Sequence, residues 1–263
     1  MSWLINLVMF RLGFELTILV IVGNSEILCP TGLISYSDVV CGLIFTERYW
    51  YCDAHKQCRD RGVKLGLRLF VAGPNVSQFL ITQGFPKVAH TSLNTLLIRK
   101  HNQRIGWAAG VPRQAGYVTT NTSNMPWYQN QPNSLNERVA VVSYQKLHDY
   151  AQNRITGAAA CEWAGPGSSL EIDPRAERFD AQFPEPLSSF FFSDINNEGC
   201  FQTVQCTTVI ECAKRCKQIL ECRSIYFNRD TNECWLSLFV DTLLPKSLET
   251  TNESWVRFGR PDW

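Results

Sequence analysis

Eleven cysteines in 263 residues constrain this chain more than any other feature. Reducing compartments keep thiols free and rarely accumulate them, whereas secreted domains with limited cores use them as cross-links, so the count points to an oxidising compartment. Their placement is uneven. Cys29, Cys41, Cys52, Cys58 and Cys161 are spread out, and six more crowd between Cys200 and Cys234. Two differently stapled units are implied. The formal net charge of +1 conceals a second asymmetry: residues 29–163 carry 14 Lys+Arg against 7 Asp+Glu, and residues 164–263 carry 10 against 15. A basic half is followed by an acidic one. Either the halves are docked or simply soluble, or the basic half meets an anionic partner.

Residues 1–25 read as a signal peptide: a short apolar run from Ile18 to Val22 precedes Gly23, Asn24 and Ser25, and cleavage is expected near Ser25. The run is far below the roughly 20 residues that span a bilayer, and Arg11 and Glu15 interrupt the longer apolar stretch, so no transmembrane anchor is expected. Asn75-Val-Ser, Asn121-Thr-Ser and Asn252-Glu-Ser fit the N-glycosylation pattern, which places them in exposed loops of a secreted glycoprotein.

Cys29-Pro-Thr-Gly through Cys41 reads as strand, turn and strand closed by a local disulfide. Arg48 to Arg61 reads as a helix with Tyr51, Ala54 and Cys58 on one face; at about 100° per residue Cys52 lies off that face. Cys58 is aimed at the core, with Cys161 its remaining distant partner in this half. Cys52 has three open readings: a buried free thiol, a link to another chain as in a disulfide-linked dimer, or a link to the second unit. Residues 62–163, rich in Gly, Asn and Pro, are expected to form short strands joined by long loops, and long ordered loops usually carry binding. Residues 164–198, with Gly165-Pro-Gly-Ser-Ser, Pro174, Pro184 and Pro186, read as a Pro-rich linker whose Phe190-Phe191-Phe192 triplet packs on the second unit. Thr208-Val-Ile-Glu211 has capping-box spacing and starts a helix bearing Cys212 and Cys216 on one face, followed by strand-like runs at Arg223–Asn228 and Cys234–Phe239.

Residues 26–163 resemble a C-type lectin-like domain. The resemblance rests on Cys29-Pro-Thr-Gly with Cys41, Tyr51-x-x-Ala54-x-x-x-Cys58, Ile105-Gly106, Trp127 followed by Gln131-Pro132-Asn133, Glu137, and Cys161-Glu162. It implies a double loop of strands and two helices, with a calcium-dependent sugar site in the long loop. The implied calcium ligands are Gln131, Asn133, Glu137 and Asp149, with Pro132 cis to aim its neighbours. The chain departs from the family pattern where Trp-Asn-Asp becomes Leu147-His148-Asp149, so an imidazole replaces an amide oxygen, and the family's inner disulfide is missing. Residues 199–263 resemble a PAN/apple module, a small disulfide-rich α+β domain. That resemblance implies Cys212 with Cys234, Cys216 with Cys222, and Cys200 with Cys206.

The four histidines lack HExxH spacing, and neither a GxSxG elbow nor a phosphate-binding GxxxxGK[ST] loop occurs. No enzyme is expected. Arg99, Lys100, His101 and Arg104, with Lys56, Arg59, Arg61 and Lys64, form basic clusters that either bind an anionic glycan or are a solvated face; no basic and aromatic stacking motif points to nucleic acid. The fold class expected is α+β in both units. The function expected is a secreted recognition protein binding glycans or glycoproteins through Gln131, Asn133, Glu137, His148 and Asp149, with Ca2+ as the cofactor in question. The alternative is a calcium-independent adhesion or assembly module, disulfide-linked through Cys52.

Overall fold

A computed structural model describes residues 28–37, 40–76, 79, 88–168, 170–249 and 254–263, together with a two-residue antiparallel pair, β1 (Leu7–Val8) with β2 (Leu19–Val20). The expected leader cleavage at Ser25 and the Asn252 sequon lie outside the described residues. Both units are α+β.

In the first unit, β3 (Ile34–Ser37), β4 (Val40–Phe45), β5 (Leu69–Val71), β6 (Ala89–Asn94), β7 (Ala108–Ala109), β8 (Val139–Ser143), β9 (Lys146–Tyr150) and β10 (Ala158–Trp163) form one sheet, ordered β3-β4-β10-β6-β8-β9 with β5 on β10 and β7 on β6. Strand β10 is its hub: it pairs antiparallel with β4 and β5 and parallel with β6. Its Ala158-Ala159-Ala160 run is buried and small, which lets elements close in from both faces. At Gly42 of β4 a Cβ would stand 2.1 Å from the Cys161 carbonyl oxygen, so only glycine admits this approach. Helix α1 (Tyr51–Leu65) lays Tyr51, Ala54 and Cys58 inward, and Cys58 is bonded to Cys161 of β10. Gly66, at φ 68°, ends the helix in the left-handed conformation. Cys29 joins Cys41.

The second unit is a four-stranded antiparallel sheet, β11 (Phe201–Gln205), β13 (Glu233–Leu238), β12 (Cys222–Asn228) and β14 (Trp255–Gly259) in spatial order, with α2 (Val209–Lys217) packed on it. Thr208 accepts a hydrogen bond from the Glu211 amide at 3.2 Å, while the Glu211 carboxylate returns to the Thr207 amide at 2.9 Å, one residue before the expected cap. Cys212–Cys234 and Cys216–Cys222 tie α2 to β13 and to the start of β12. Behind the sheet's apolar side chains lies an ion pair, Arg257 Nη2 to Asp241 at 2.6 Å, both side chains almost wholly buried and Asp241 also accepting from Ser224. Burial raises the Asp241 pKa, but the Arg257 and Arg223 guanidiniums beside it outweigh burial and hold it below the ordinary carboxylate value.

The expected Cys200–Cys206 pair is replaced by Cys52–Cys200, and Cys206 is a buried free thiol. The reason is geometric. Cys200 and Cys206 bracket the five-residue strand β11, and at about 3.3 Å per residue their Cα atoms are held near 20 Å apart, beyond the roughly 7 Å limit for a disulfide. The bond to Cys200 also leaves Cys52 no sulfur for a second chain, so the expectation of a dimer linked through Cys52 is withdrawn. It fastens α1 to the second unit instead.

That fastening sits in a shared core. Tyr51, Leu96, Leu97 and Val139 of the first unit pack with Phe192, Cys200, Val240 and Leu243. His55 stacks on Phe239 at 5.2 Å, the Leu243 amide donates to the Leu96 carbonyl at 3.1 Å, and the Arg113 amide to that of Trp263 at 2.9 Å. The Pro-rich segment between the units is not a free tether. Phe191 and Phe192 are buried, Glu177 holds Arg260 through both carboxylate oxygens, and Asp180 pairs with Gly259. No helix among the described residues is long and apolar enough to cross a membrane.

Candidate functional site

The long loop before β8 closes back over the β8–β9 hairpin, and the alternation of β9 decides what each residue does there. Leu147 and Asp149 point inward and are buried; His148 points to the other face and stays half-exposed. Asp149 Oδ2 accepts the backbone amides of Asn133 at 2.9 Å and Ser134 at 2.7 Å, and the Asp149 amide donates to the Gln131 side-chain oxygen at 3.2 Å. The Gln131-Pro132 peptide is cis. Arg104 Nε donates to the Gln131 carbonyl at 3.1 Å.

Arg99 reaches into the loop from the turn after β6. Its Nη1 donates to the Glu137 carbonyl at 2.8 Å and to Thr95 Oγ1 at 3.3 Å, and its Nη2 to the Ser134 carbonyl. Burial lowers its pKa and the nearby Arg138 charge adds to this, while Asp149 and Glu137 pull the other way. The Glu137 carboxylate is raised by burial and by Asp149, against the pull of Arg154, whose guanidinium lies 3.9 Å away.

The outer face carries an aromatic pair. Tyr128 and His148 stack with centroids 5.0 Å apart and planes 21° off parallel, and Tyr128 is 53% exposed. Burial lowers the His148 pKa despite the neighbouring Asp149 charge, which favours the uncharged ring at neutral pH. Around the pair the loop exposes Gln129, Asn130, Asn133, Leu135 and Asn136. Trp127, behind Tyr128, packs on the buried Trp107 at 4.9 Å.

The four residues implied as calcium ligands are thus brought together, but two of their oxygens, Gln131 Oε1 and Asp149 Oδ2, already accept backbone amides. Calcium takes six to eight hard oxygens. Here the Gln131 oxygen and one Asp149 oxygen are engaged by backbone amides, His148 offers an imidazole that is already stacked, and a guanidinium occupies the inner side of the loop. Asp149 Oδ1 is buried without a hydrogen-bond partner, and the Glu137 carboxylate faces Arg154 at 3.9 Å. Among the described residues no group of three His, Cys, Asp or Glu is arranged to hold a metal ion. This donor set does not fit calcium.

Within the basic clusters Lys100 pairs with Glu185, Arg59 with Asp60, and Arg99 is the loop residue just described, while Lys56, Lys64 and Arg104 are exposed. Asn75 donates its side-chain amide to Glu162 at 3.0 Å, and burial raises the Glu162 pKa even so. Asn121 is exposed in a turn. A cleft of about 720 Å³ lies at the seam of the two units, with Arg68, Arg113, Lys217, Arg260, Glu177 and Trp263 among its walls. Arg260 and Glu177 are already paired there, so its volume marks the seam rather than an open set of binding groups. Sequence reasoning took Arg99 only as one charge of a basic cluster and missed Tyr128. The available signals were the apolar Leu96-Leu97-Ile98 run, which carries Arg99 inward, and the adjacency of Tyr128 to the core residue Trp127.

Residues 193–258 match the family model of the PAN domain. The first unit is similar to C-type lectin structures. They include the C-type lectin CEL-I from Cucumaria echinata, at 15% identity and a TM-score of 0.37, covering 51% of this chain and 96% of that one. The mouse scavenger receptor C-type lectin carbohydrate-recognition domain is 16% identical, with a TM-score of 0.38 and coverage of 56% and 100%. The C-type lectin domain of murine dendritic cell inhibitory receptor 2, solved in complex with N-glycan, is 16% identical, with a TM-score of 0.37 and coverage of 51% and 98%. Comparison with curated proteins gives no match.

Proposed function

We propose that this chain is a secreted, non-enzymatic recognition module that binds glycans or glycoproteins through the outer face of the long loop, without calcium. The observation that carries the reading is the stacked, solvent-facing Tyr128–His148 pair, with the exposed Gln129 and Asn130 following Tyr128 in the chain. A sugar presents apolar C–H faces and a rim of hydroxyls; aromatic faces accept the first and Asn and Gln side chains serve the second, each amide offering both donors and an acceptor. The loop backbone is already fixed by Asp149 and Arg99, so little ordering entropy opposes binding. Five disulfides suit an oxidising, extracellular setting. The expected leader and the exposed Asn121 sequon fit the same route.

A glycan array probed in chelating buffer tests the reading. Binding is expected to persist in chelator and to fall at least about tenfold, roughly 1.4 kcal/mol, in Tyr128→Ala. Binding that appears only with calcium, or that ignores Tyr128→Ala, overturns it. The exposed Leu135 in the loop and Tyr144 in the turn between β8 and β9, 63% and 78% exposed, favour a second reading in which a protein partner docks there. Retention of a deglycosylated partner would select that reading.

A further inference from the structure

The loop poses a physical question that its ligand does not answer: what holds a stretch from Gln131 to Glu137, with no regular structure of its own, in one conformation. Its amides at Asn133 and Ser134 point to the Asp149 carboxylate, and its carbonyls at Ser134 and Glu137 point to the Arg99 guanidinium. An anion therefore collects the donors and a cation collects the acceptors of one short segment. Each of these bonds is charge-assisted, and Arg99 adds the geometric condition that a planar fork must meet two carbonyls at once.

We propose that Arg99 is the resident cation of this loop, a positioning residue that sets Gln131 to Glu137 by gripping the Ser134 and Glu137 carbonyls beside Asp149, so that the loop keeps its binding shape with no metal ion. A guanidinium cannot dissociate. The loop stays ordered where free calcium is scarce, and whatever it binds is not released by calcium withdrawal. The inference concerns the order of the loop and holds whether its ligand is a glycan or a protein.

Hydrogen exchange at the Asn133 and Ser134 amides reads this directly, because those amides are exposed only when the loop leaves Asp149. In the full chain, protection there is expected to be the same in calcium and in chelator. Arg99→Lys keeps the charge but not the fork, and is expected to raise exchange at both amides about tenfold or more while amides of Ile225 to Phe227 in the second unit stay protected. In Arg99→Ala, free guanidinium ion at millimolar concentration is expected to restore protection. Calcium-dependent protection of the native loop, unchanged exchange in Arg99→Lys, or failure of guanidinium to rescue Arg99→Ala would each overturn the proposal. Should Arg99→Ala not fold, Arg99→Lys decides alone. Ligand binding is not the readout, so this result and that of the glycan array are independent.

Discussion

The two units solve the same problem, ordering a chain with little regular structure, in opposite ways. The first closes distant points: Cys58 and Cys161 are 103 residues apart, and the loops between them hang on a hub strand. The second uses short closures, with separations of 22 and 6, and adds a buried ion pair, Arg257–Asp241, inside its sheet. The difference follows from size. A unit of about 65 residues buries too little apolar surface to stand on its core alone and needs local staples; a loop-rich unit of twice the length is limited by the entropy of its open chain.

Opening the long closure should separate the units most sharply. Cys58→Ser is expected to cost about 4–5 kcal/mol from loop-closure entropy, against about 2 kcal/mol for Cys216→Ser, measured by urea unfolding. Equal losses would erase the contrast. Next in size, Arg257→Met leaves Asp241 buried with the Ser224 hydroxyl and the Arg223 charge but no ion-pair partner, and should cost about 3 kcal/mol; adding Asp241→Leu should recover only part of it, because Arg223 then loses its nearby anion. A single variant within about 0.5 kcal/mol of the parent would show that the pair is not what holds the second sheet.

The seam between the units should respond to acid. Burial lowers the pKa of His55 from 6.5 to about 3, with the proximity of His90 adding to it, and burial lowers that of His90 to about 4. A base whose folded pKa is depressed takes its proton more readily when unfolded, so stability is complete above pH 6.5 and falls as the pH drops toward the folded values. The slope is about 1.4 kcal/mol per pH unit for each histidine. Thermal melts between pH 7 and pH 5 should show the fall. His55→Phe, which keeps an aromatic ring against Phe239, should halve the slope; an unaltered slope would point to other groups. The smallest effect is expected at the sequons. Asn121→Gln should remove one glycan by mass, whereas Asn75→Gln should remove none and cost about 1 kcal/mol through the lost bond to Glu162.

What the sequence made legible was whatever repeats locally. The inward face of α1 follows from helical spacing at Tyr51, Ala54 and Cys58, and the start of α2 from the Thr208 hydroxyl. Less legible were contacts made by single residues across the chain. The Phe190-Phe191-Phe192 triplet announced that its segment packs, but nothing in the sequence around Glu177 announces Arg260, and nothing around Phe192 announces that its core is shared with the first unit. Cys200 and Cys206 looked like partners because the resemblance to a PAN/apple module left them over as a third pair; the extended strand between them makes them distant. Arg99 looked like one charge in the basic run Arg99-Lys100, yet the backbone turn after β6 sends its neighbour Lys100 to Glu185 at the surface and Arg99 inward. Residue type gave the chemistry at these sites, and only the three-dimensional path decided which charges met.

The central claim is that the loop's own side chains occupy the place of a metal, and the most direct measurement is the thermal unfolding of the mature, disulfide-intact protein in millimolar calcium and in chelator. The expected result is two superimposable transitions. A transition raised by several degrees in calcium, and returned to the chelator value in Glu137→Gln/Asp149→Asn, would contradict the account.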